Sequence, residues 1–345
     1  MSTFFYLFQK KTIWIIAFTK YLLQNACFCR SPSMSLPRKA PAIEHIQVGF
    51  PVFDLGYLPY TREILVAGGG GPSRSGVANG ISAFQVTRDG HLQQLHHFST
   101  GAGAVMALRA SALAEHDFAA AINNECVLFS RHRERFSKKR SVQLEIAGHD
   151  AYIKCLAQAD GLLAAGATDG KVHLLKFPSL SRITTIDCAD EVRGVAVTAS
   201  GGVAILARNR LSLHTGDAAS QTLYACSPPC ATHFRCLVVL ADGSFIAAAN
   251  AQQRNGTPSL LMHYSSELVE LRKMKCGPHP ITSVAVSVDQ QRACFGTSDG
   301  SIGIVDVQAW HLCSTFRDLV GFAVTSVAMS HTGSTAFACS ANGKL

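Results

Sequence analysis

The sequence predicts an all-β fold made of repeated four-stranded units, and three observations support this prediction. Turn signals of Asn or Asp, mostly followed by Gly, recur every 40 to 46 residues along the 345-residue chain. Short runs of alternating apolar residues flank them, which is the pattern of strands joined by hairpins. No stretch sustains a 3.6-residue apolar period over several turns. The signals are Asn79-Gly80, Asn124, Asp169-Gly170, Asn209, Asn255-Gly256, Asp299-Gly300 and Asn342-Gly343.

Four short strands in 40–45 residues is the repeat of a WD40-type β-propeller, so seven signals predict seven blades. Gly148-His149 stands where such a repeat often has Gly-His, and Lys176-Phe177 stands where Trp-Asp is common. After the first six signals we predict strands at residues 81–86, 126–130, 171–177, 211–214, 259–263 and 301–307. Further alternating runs predict strands at residues 281–286 and 324–329.

The last blade is the least regular one in the sequence. The chain reaches Leu345 where the outer strands of this blade are due. Propellers commonly complete such a blade with an N-terminal strand, and residues 43–53 suit that role. The alternative is that the last blade is incomplete, which leaves an open strand edge.

Charge divides the chain into an N-terminal extension, residues 1–33, and a propeller, residues 34–345. The formal net charge is +8, but residues 1–40 carry six cations and no acid, so the other 305 residues net only +2. That balance does not predict a nucleic-acid partner. Lysines interrupt the apolar runs of the extension, which we expect to lie outside the fold. A signal or membrane-anchoring segment is the alternative.

Cysteine usage favours a reducing compartment. The twelve cysteines are scattered singly, mostly in strand-like runs, and form no dense disulfide framework. Cys226, Cys230, His233 and Cys236 have a spacing that fits no common zinc site. We therefore predict no zinc and treat these residues as structural.

An enlarged glycine-rich turn at residues 68–80 is the strongest functional candidate. Elsewhere the equivalent turn spans four positions between its glycines, as at Gly166–Gly170, whereas here it spans twelve. A P-loop would continue with Lys and Ser or Thr, but Val77 and Ala78 follow Gly76, so phosphate binding is excluded. Two alternatives remain: a flexible surface insertion, or an ordered loop presented to a partner.

Two further patterns in the sequence bear on whether the chain binds a charged partner or carries out catalysis. Residues 131–140 net +5, which is typical of a solvated loop; an anionic membrane surface, an acidic partner or a nucleic acid are the functional alternatives. The motif H-E-x-x-H does not occur, and the isolated histidines belong to no catalytic constellation. We therefore expect no active site of the chain's own.

The chain resembles the prolactin regulatory element-binding protein family, the endoplasmic-reticulum exchange factors of the COPII small GTPase Sar. The resemblance covers roughly residues 43–345 and depends mainly on the glycine-rich turn. The supporting segments are Phe50-Pro51-Val52-Phe53, residues 64–71, Gly76-Val77-Ala78-Asn79-Gly80, Thr168-Asp169-Gly170, Phe234-Arg235-Cys236 and residues 296–300.

The resemblance implies a propeller that binds Sar in its GDP-bound and nucleotide-free forms and accelerates GDP release. Carried over by position, the GTPase-contacting residues are Gly76, Val77, Ala78 and Asn79. A potassium ion would order the loop through Gly68, Gly69, Gly70, Gly71 and Asn79. The family's location is the cytosolic face of the endoplasmic reticulum, with the membrane surface as a further partner.

One departure from the family keeps a second function open. The family ends in a transmembrane helix, which this sequence does not show, so a cytosolic location is the alternative. The competing function is a WD40 interaction scaffold, or a nuclear transcription regulator, without exchange activity.

Overall fold

The computed structural model describes residues 13–17, 42–71, 76–87, 91–110, 116–132, 135–159, 161–214, 222–252 and 257–341. These residues form 28 β-strands and no helix, so no described helix could cross a bilayer. The predicted all-β class is confirmed. The turn signals Asn255-Gly256 and Asn342-Gly343 lie outside the described residues.

Six regular blades each consist of four consecutive antiparallel strands. Blade 1 contains β3 (Val52–Leu58), β4 (Glu63–Gly68), β5 (Gly80–Val86) and β6 (Leu92–Ser99); blade 2 contains β7 (Val105–Ala110), β8 (Asp117–Ile122), β9 (Glu125–His132) and β10 (Arg135–Gln143); blade 3 contains β11 (Ile153–Ala159), β12 (Leu162–Ala167), β13 (Lys171–Lys176) and β14 (Arg182–Asp187). Blade 4 contains β15 (Val192–Val197), β16 (Val203–Ala207), β17 (Leu211–His214) and β18 (Thr222–Cys226); blade 5 contains β19 (Thr232–Val239), β20 (Phe245–Ala251), β21 (Ser259–Tyr264) and β22 (Glu270–Gly277); blade 6 contains β23 (Ile281–Val286), β24 (Arg292–Thr297), β25 (Ile302–Asp306) and β26 (His311–Phe316).

The remaining sheet is composite, which corrects the prediction of seven like blades to six regular ones. It joins β27 (Val324–Met329) and β28 (Thr335–Ser340) to β1 (Ile13–Ala17) and β2 (Ala42–Ile46), in the order β2-β1-β28-β27. An N-terminal strand does complete this sheet, but β1 lies between β28 and the segment chosen from the sequence. Since β1 belongs to residues 1–33, part of the presumed extension pairs with the propeller; the boundary at residue 34 stays a prediction.

The first strand of each blade and β27 form the inner wall of a closed ring, each packed against the next. Hydrogen bonds align these strands: the Asp54 carboxylate in β3 accepts from the Ser326 hydroxyl in β27 and from the Leu108 amide in β7. Because the inner strands run in the same direction, one end of the ring holds every turn between second and third strands. The links from each fourth strand to the next blade lie at this end too, which we call the loop face.

Seven apolar clusters fill the gaps between neighbouring sheets. The cluster between the composite sheet and blade 1 contains Phe50, Phe84 and Phe337, each at most 2% exposed. Tyr57 stacks on Phe337 with ring centroids 6.3 Å apart. Closure of the ring therefore depends on packing across this gap.

The predicted strands at residues 211–214, 281–286 and 324–329 agree with β17, β23 and β27 at both ends. The basic run at residues 131–140 was wrongly expected to be a loop, since it belongs largely to β9 and β10. Its burial is that of an outer strand: Phe136 is buried, while Lys138, Lys139 and Arg140 further along β10 are exposed. The high charge of this segment therefore hid from sequence reasoning that it forms β10, the outer strand of blade 2.

Replacing Phe337 by Ala should destabilise the closed ring by about 3–5 kcal/mol, because a buried ring is lost and a cavity remains. Tyr60→Ala, at a position 56% exposed, is the control and should change stability by less than about 0.5 kcal/mol. Urea unfolding followed by far-UV circular dichroism measures both. Equal midpoints for the two variants would contradict this account of closure.

Candidate functional site

Two glycines pair at the base of the enlarged turn. Gly68 ends β4 and lies opposite Gly80, which begins β5. A Cβ at Gly68 would overlap the Pro51 carbonyl oxygen, and one at Gly80 would approach the Phe98 oxygen to 2.6 Å. The sequence uses glycine here because neighbouring backbone lies too close for any side chain.

Gly69 continues this close approach. Its amide donates to the Pro51 carbonyl over 2.9 Å. Its φ is +144°, and a Cβ would overlap the Asn79 side chain. Gly69 therefore leaves the space that the Asn79 amide occupies.

The side chain of Asn79 holds the turn together from within. It is 4% exposed, and its Oδ1 accepts the Gly71 amide over 2.8 Å. Its Nδ2 donates to the carbonyl oxygens of Gly71, at 3.1 Å, and Gly101, at 2.8 Å. One buried amide thus fixes both ends of the turn and ties them to the link between blades 1 and 2.

Thr100 and Gly101 complete this anchor, and sequence reasoning missed them. The Thr100 amide donates to the Asn79 carbonyl over 3.1 Å, and its hydroxyl donates to the Gly103 oxygen over 2.6 Å. Gly101 has φ +67°, which suits a tight turn. The signal was the Thr-Gly-Ala-Gly stretch after β6, but a contact across about 20 residues of chain is not visible in a local pattern.

The predicted contact residues differ in exposure. Gly76 and Ala78 are exposed, whereas Val77 is half-buried and packs against the cluster that closes the ring. The Asn79 anchor draws this part of the turn inward, so Val77 does not stand out as an apolar tip here. Gly70 is half-buried, and residues 72–75 lie outside the described part of the chain.

Two carbonyl oxygens beside the turn, of the kind that a potassium ion would use, already accept hydrogen bonds. The carbonyl oxygens of Gly71 and Gly101 converge on the Asn79 Nδ2, which already donates to both. No buried side-chain oxygen or nitrogen of the described turn lacks a hydrogen-bond partner. The potassium ion therefore stays a prediction, and Asn79 supplies the ordering that a cation would give.

The other chemical candidates have structural surroundings. Burial raises the pKa of the Cys236 thiol to about 12 and that of the Cys226 thiol to about 11. Among the described residues, no three His, Cys, Asp or Glu side chains lie close enough to hold a metal ion. In the basic run, Arg131 forms a buried ion pair with Glu63, and Lys139 contacts Asp117 at 2.8 Å.

Together, the ring of four-stranded sheets and the loop-bearing first blade define a WD40-type β-propeller. The WD40 propeller domain of Doa1 superposes with a TM-score of 0.64, covering 85% of this chain and 90% of that one at 14% identity. This likeness establishes the fold alone.

The resemblance to the exchange-factor family is confirmed by curated relatives. The chain is 27% identical over 186 residues to the guanine nucleotide-exchange factor SEC12 of Mus musculus and to that of Rattus norvegicus. Each match covers 41% of this chain and 44% of the relative, so the chain spans less than half of the relatives it matches. No family model matches the chain.

Replacing Gly69 by Ala should release the turn, because the new methyl group displaces the Asn79 amide. We expect at least tenfold faster hydrogen exchange at the amides of Gly71 and Thr100, which donate to Asn79. Gly201→Ala is the matched control, since φ there is +79° and no atom lies within 4 Å of the added group. It adds backbone strain of about 1–2 kcal/mol without touching the turn. Unaltered exchange at Gly71 in the Gly69 variant would refute the anchoring role.

Proposed function

We propose that this chain is a guanine-nucleotide exchange factor that stimulates GDP release from a Sar-type small GTPase. The observation that carries the proposal is the enlarged turn of blade 1 on the loop face, whose two described ends are joined by the hydrogen bonds of Asn79. The relatives named exchange factors support the same assignment. The chain acts as a regulator and needs no covalent chemistry of its own.

Exchange is accelerated when a factor binds the nucleotide-free GTPase more tightly than the GDP-bound form. A ligand shifts an equilibrium only by its differential affinity for the two states. A turn held in one shape favours one arrangement of a partner's mobile segments over the others. The described part of the turn offers the exposed Gly76 and Ala78 together with the outer side of Val77 for that contact.

Anchoring lowers the cost of binding. Fixing the backbone of a free loop costs roughly 1–2 kcal/mol per residue, which would be subtracted from the affinity for the GTPase. The bonds from Asn79 to Gly71 and Gly101 form within the propeller, so this ordering precedes binding. Asn79 is therefore a positioning residue in this proposal.

A scaffold without exchange activity is the second candidate, and the packing of Val77 favours it. If Val77 stays against the ring-closing cluster, little apolar surface of the described turn remains for a partner. The exchange proposal requires the turn to keep its anchor while Val77 makes its contact from a half-buried position. The assay below separates the two functions.

The proposed place of action is the cytosolic face of the endoplasmic reticulum, at the start of COPII coat assembly. This part of the proposal rests on the family resemblance alone. Location in intact cells, followed with a fluorescent fusion beside an endoplasmic-reticulum marker, tests it. A nuclear signal would favour the regulator of transcription.

The chain should accelerate release of fluorescent GDP from Sar, and Asn79→Ala should lower that rate about 5- to 30-fold. The physical reason is the loss of about 1–2 kcal/mol of preorganisation. Val77→Ala should lower the rate less, and Val288→Ala, at an exposed valine beyond β23, should leave it unchanged. Circular dichroism of each variant checks the fold.

Unchanged release with the Asn79 variant would refute the role of the turn. No acceleration by the folded wild-type chain would favour the scaffold. Repeating the assay with choline in place of potassium tests the cation separately, and a rate that falls only without potassium would support it.

A further inference from the structure

A second group of charged side chains lies on the loop face, around the starts of blades 3, 4 and 5. Lys154 and Arg193 are the second residues of the inner strands β11 and β15, and Arg235 lies near the start of β19. Arg208 lies in the turn after β16, the turn of blade 4 that corresponds to the enlarged one in blade 1. We call Lys154, Arg193, Arg208 and Arg235 the basic cluster.

Direct contacts join two members of this cluster to one acid and link a third through its backbone. Both Lys154 and Arg193 pair with Glu191, the latter at 3.6 Å. Arg193 also donates from Nη1 to the Phe234 carbonyl oxygen over 3.2 Å, while the Phe234 amide donates to the Arg208 oxygen over 2.9 Å. These bonds bring the turn of blade 4 and the inner strand of blade 5 together.

Positive charge exceeds negative charge in this group. Burial is the largest cause of the lowered pKa of Arg193. The neighbouring Arg235 and Arg208 lower it further, while Glu191 and Asp190 oppose the shift. Four cations thus face two acids, and Glu191, 46% exposed, spreads its charge over Lys154 and Arg193. Like charges held close together repel each other, and an anion bound between them reduces that repulsion.

Unsatisfied nitrogen atoms point to the same place. The Nε of Arg193 and the Nδ1 of His233 are buried without a hydrogen-bond partner. Burial lowers the pKa of His233, and the arginines Arg193, Arg208 and Arg235 lower it further. A buried polar atom without a partner costs free energy, and an oxygen of a bound partner that reaches such an atom recovers it.

We propose that the basic cluster binds acidic side chains of the same GTPase that contacts the enlarged turn. The inference rests on the proposed exchange function and adds a second contact to it. A partner seated on the turn lies over the loop face, where the cluster presents its excess charge. The side chain of Arg193 is only 14% exposed, so a protruding carboxylate suits the site better than a flat membrane surface.

Because the basic cluster lies outside the enlarged turn, attraction between it and acidic groups of the GTPase should affect encounter and orientation more than nucleotide release itself. Electrostatic complementarity raises association rates and fixes the register of two surfaces. The two outer arginines, Arg208 and Arg235, are the suitable residues to change, because Lys154 and Arg193 also bond within the propeller. Their loss should raise KM while kcat is retained.

The test compares the double variant Arg208→Gln/Arg235→Gln with Lys273→Gln/Lys275→Gln, which removes two exposed charges from the outer strand β22. GDP release is measured against Sar concentration at low and moderate salt, with full-length chains. We expect kcat/KM of the arginine variant to fall about 10- to 100-fold at low salt, with kcat within twofold and a weaker salt dependence. The lysine variant should match the wild type.

Equal losses in the two variants, or no loss in either, would overturn the basic cluster. Calorimetric Kd values for Sar separate this inference from the exchange function. If the wild type binds Sar without accelerating release, the exchange function fails and the cluster is judged by the Kd of the arginine variant. No binding at all refutes both, and inorganic phosphate that inhibits more than chloride at equal ionic strength would identify a free-oxyanion site instead.

Discussion

The position of blade 1 depends on the carboxylate of Asp54 on the inner wall of the ring. One oxygen accepts from the Ser326 hydroxyl of the composite sheet, at 2.7 Å, and the other accepts from the Leu108 amide of blade 2, at 2.8 Å. Arg109 adds an ion pair at 3.2 Å. A carboxylate that is largely removed from water is stable only with such partners. These bonds therefore fix the position of blade 1 between the composite sheet and blade 2. Since blade 1 carries the enlarged turn, this constraint also fixes the place of the candidate site.

The enlarged turn follows the same physical logic on a smaller scale. In the ordinary turns, backbone groups a few residues apart bond to each other, as the Gly300 amide does to the Thr297 oxygen. A turn with eight extra residues loses that short bond, and Asn79 replaces it with a side chain that reaches Gly71 and Gly101. A buried amide has one acceptor and two donors, and these are all used here. The described ends of this large turn are thus held by hydrogen bonds, which a glycine-rich composition alone would not predict.

The sequence predicted correctly those features that arise from residues close together in the chain. Alternation located β17, β23 and β27, and the spacing of turn signals located the repeat, because both arise within a few residues. The composite sheet was less accessible, since pairing of Ile13–Ala17 with β28 spans most of the chain and leaves only a short apolar run as its signal. Val77 illustrates the same limit: its apolar character is evident from the sequence, but it packs against a cluster that draws residues from both ends of the chain, Phe337 among them.

Two unlike features on one face suit the two demands that exchange makes. In the proposed function, the turn discriminates between states of a partner, which requires a defined shape and little flexibility. The basic cluster would act before that step, since charge operates over about 8–10 Å and tolerates imperfect fit. Separation of these tasks has a consequence for variation in sequence. We expect the cluster to tolerate exchange of one cation for another, whereas the turn has no room for a side chain at Gly68 or Gly69, because Pro51 and Asn79 already fill that space.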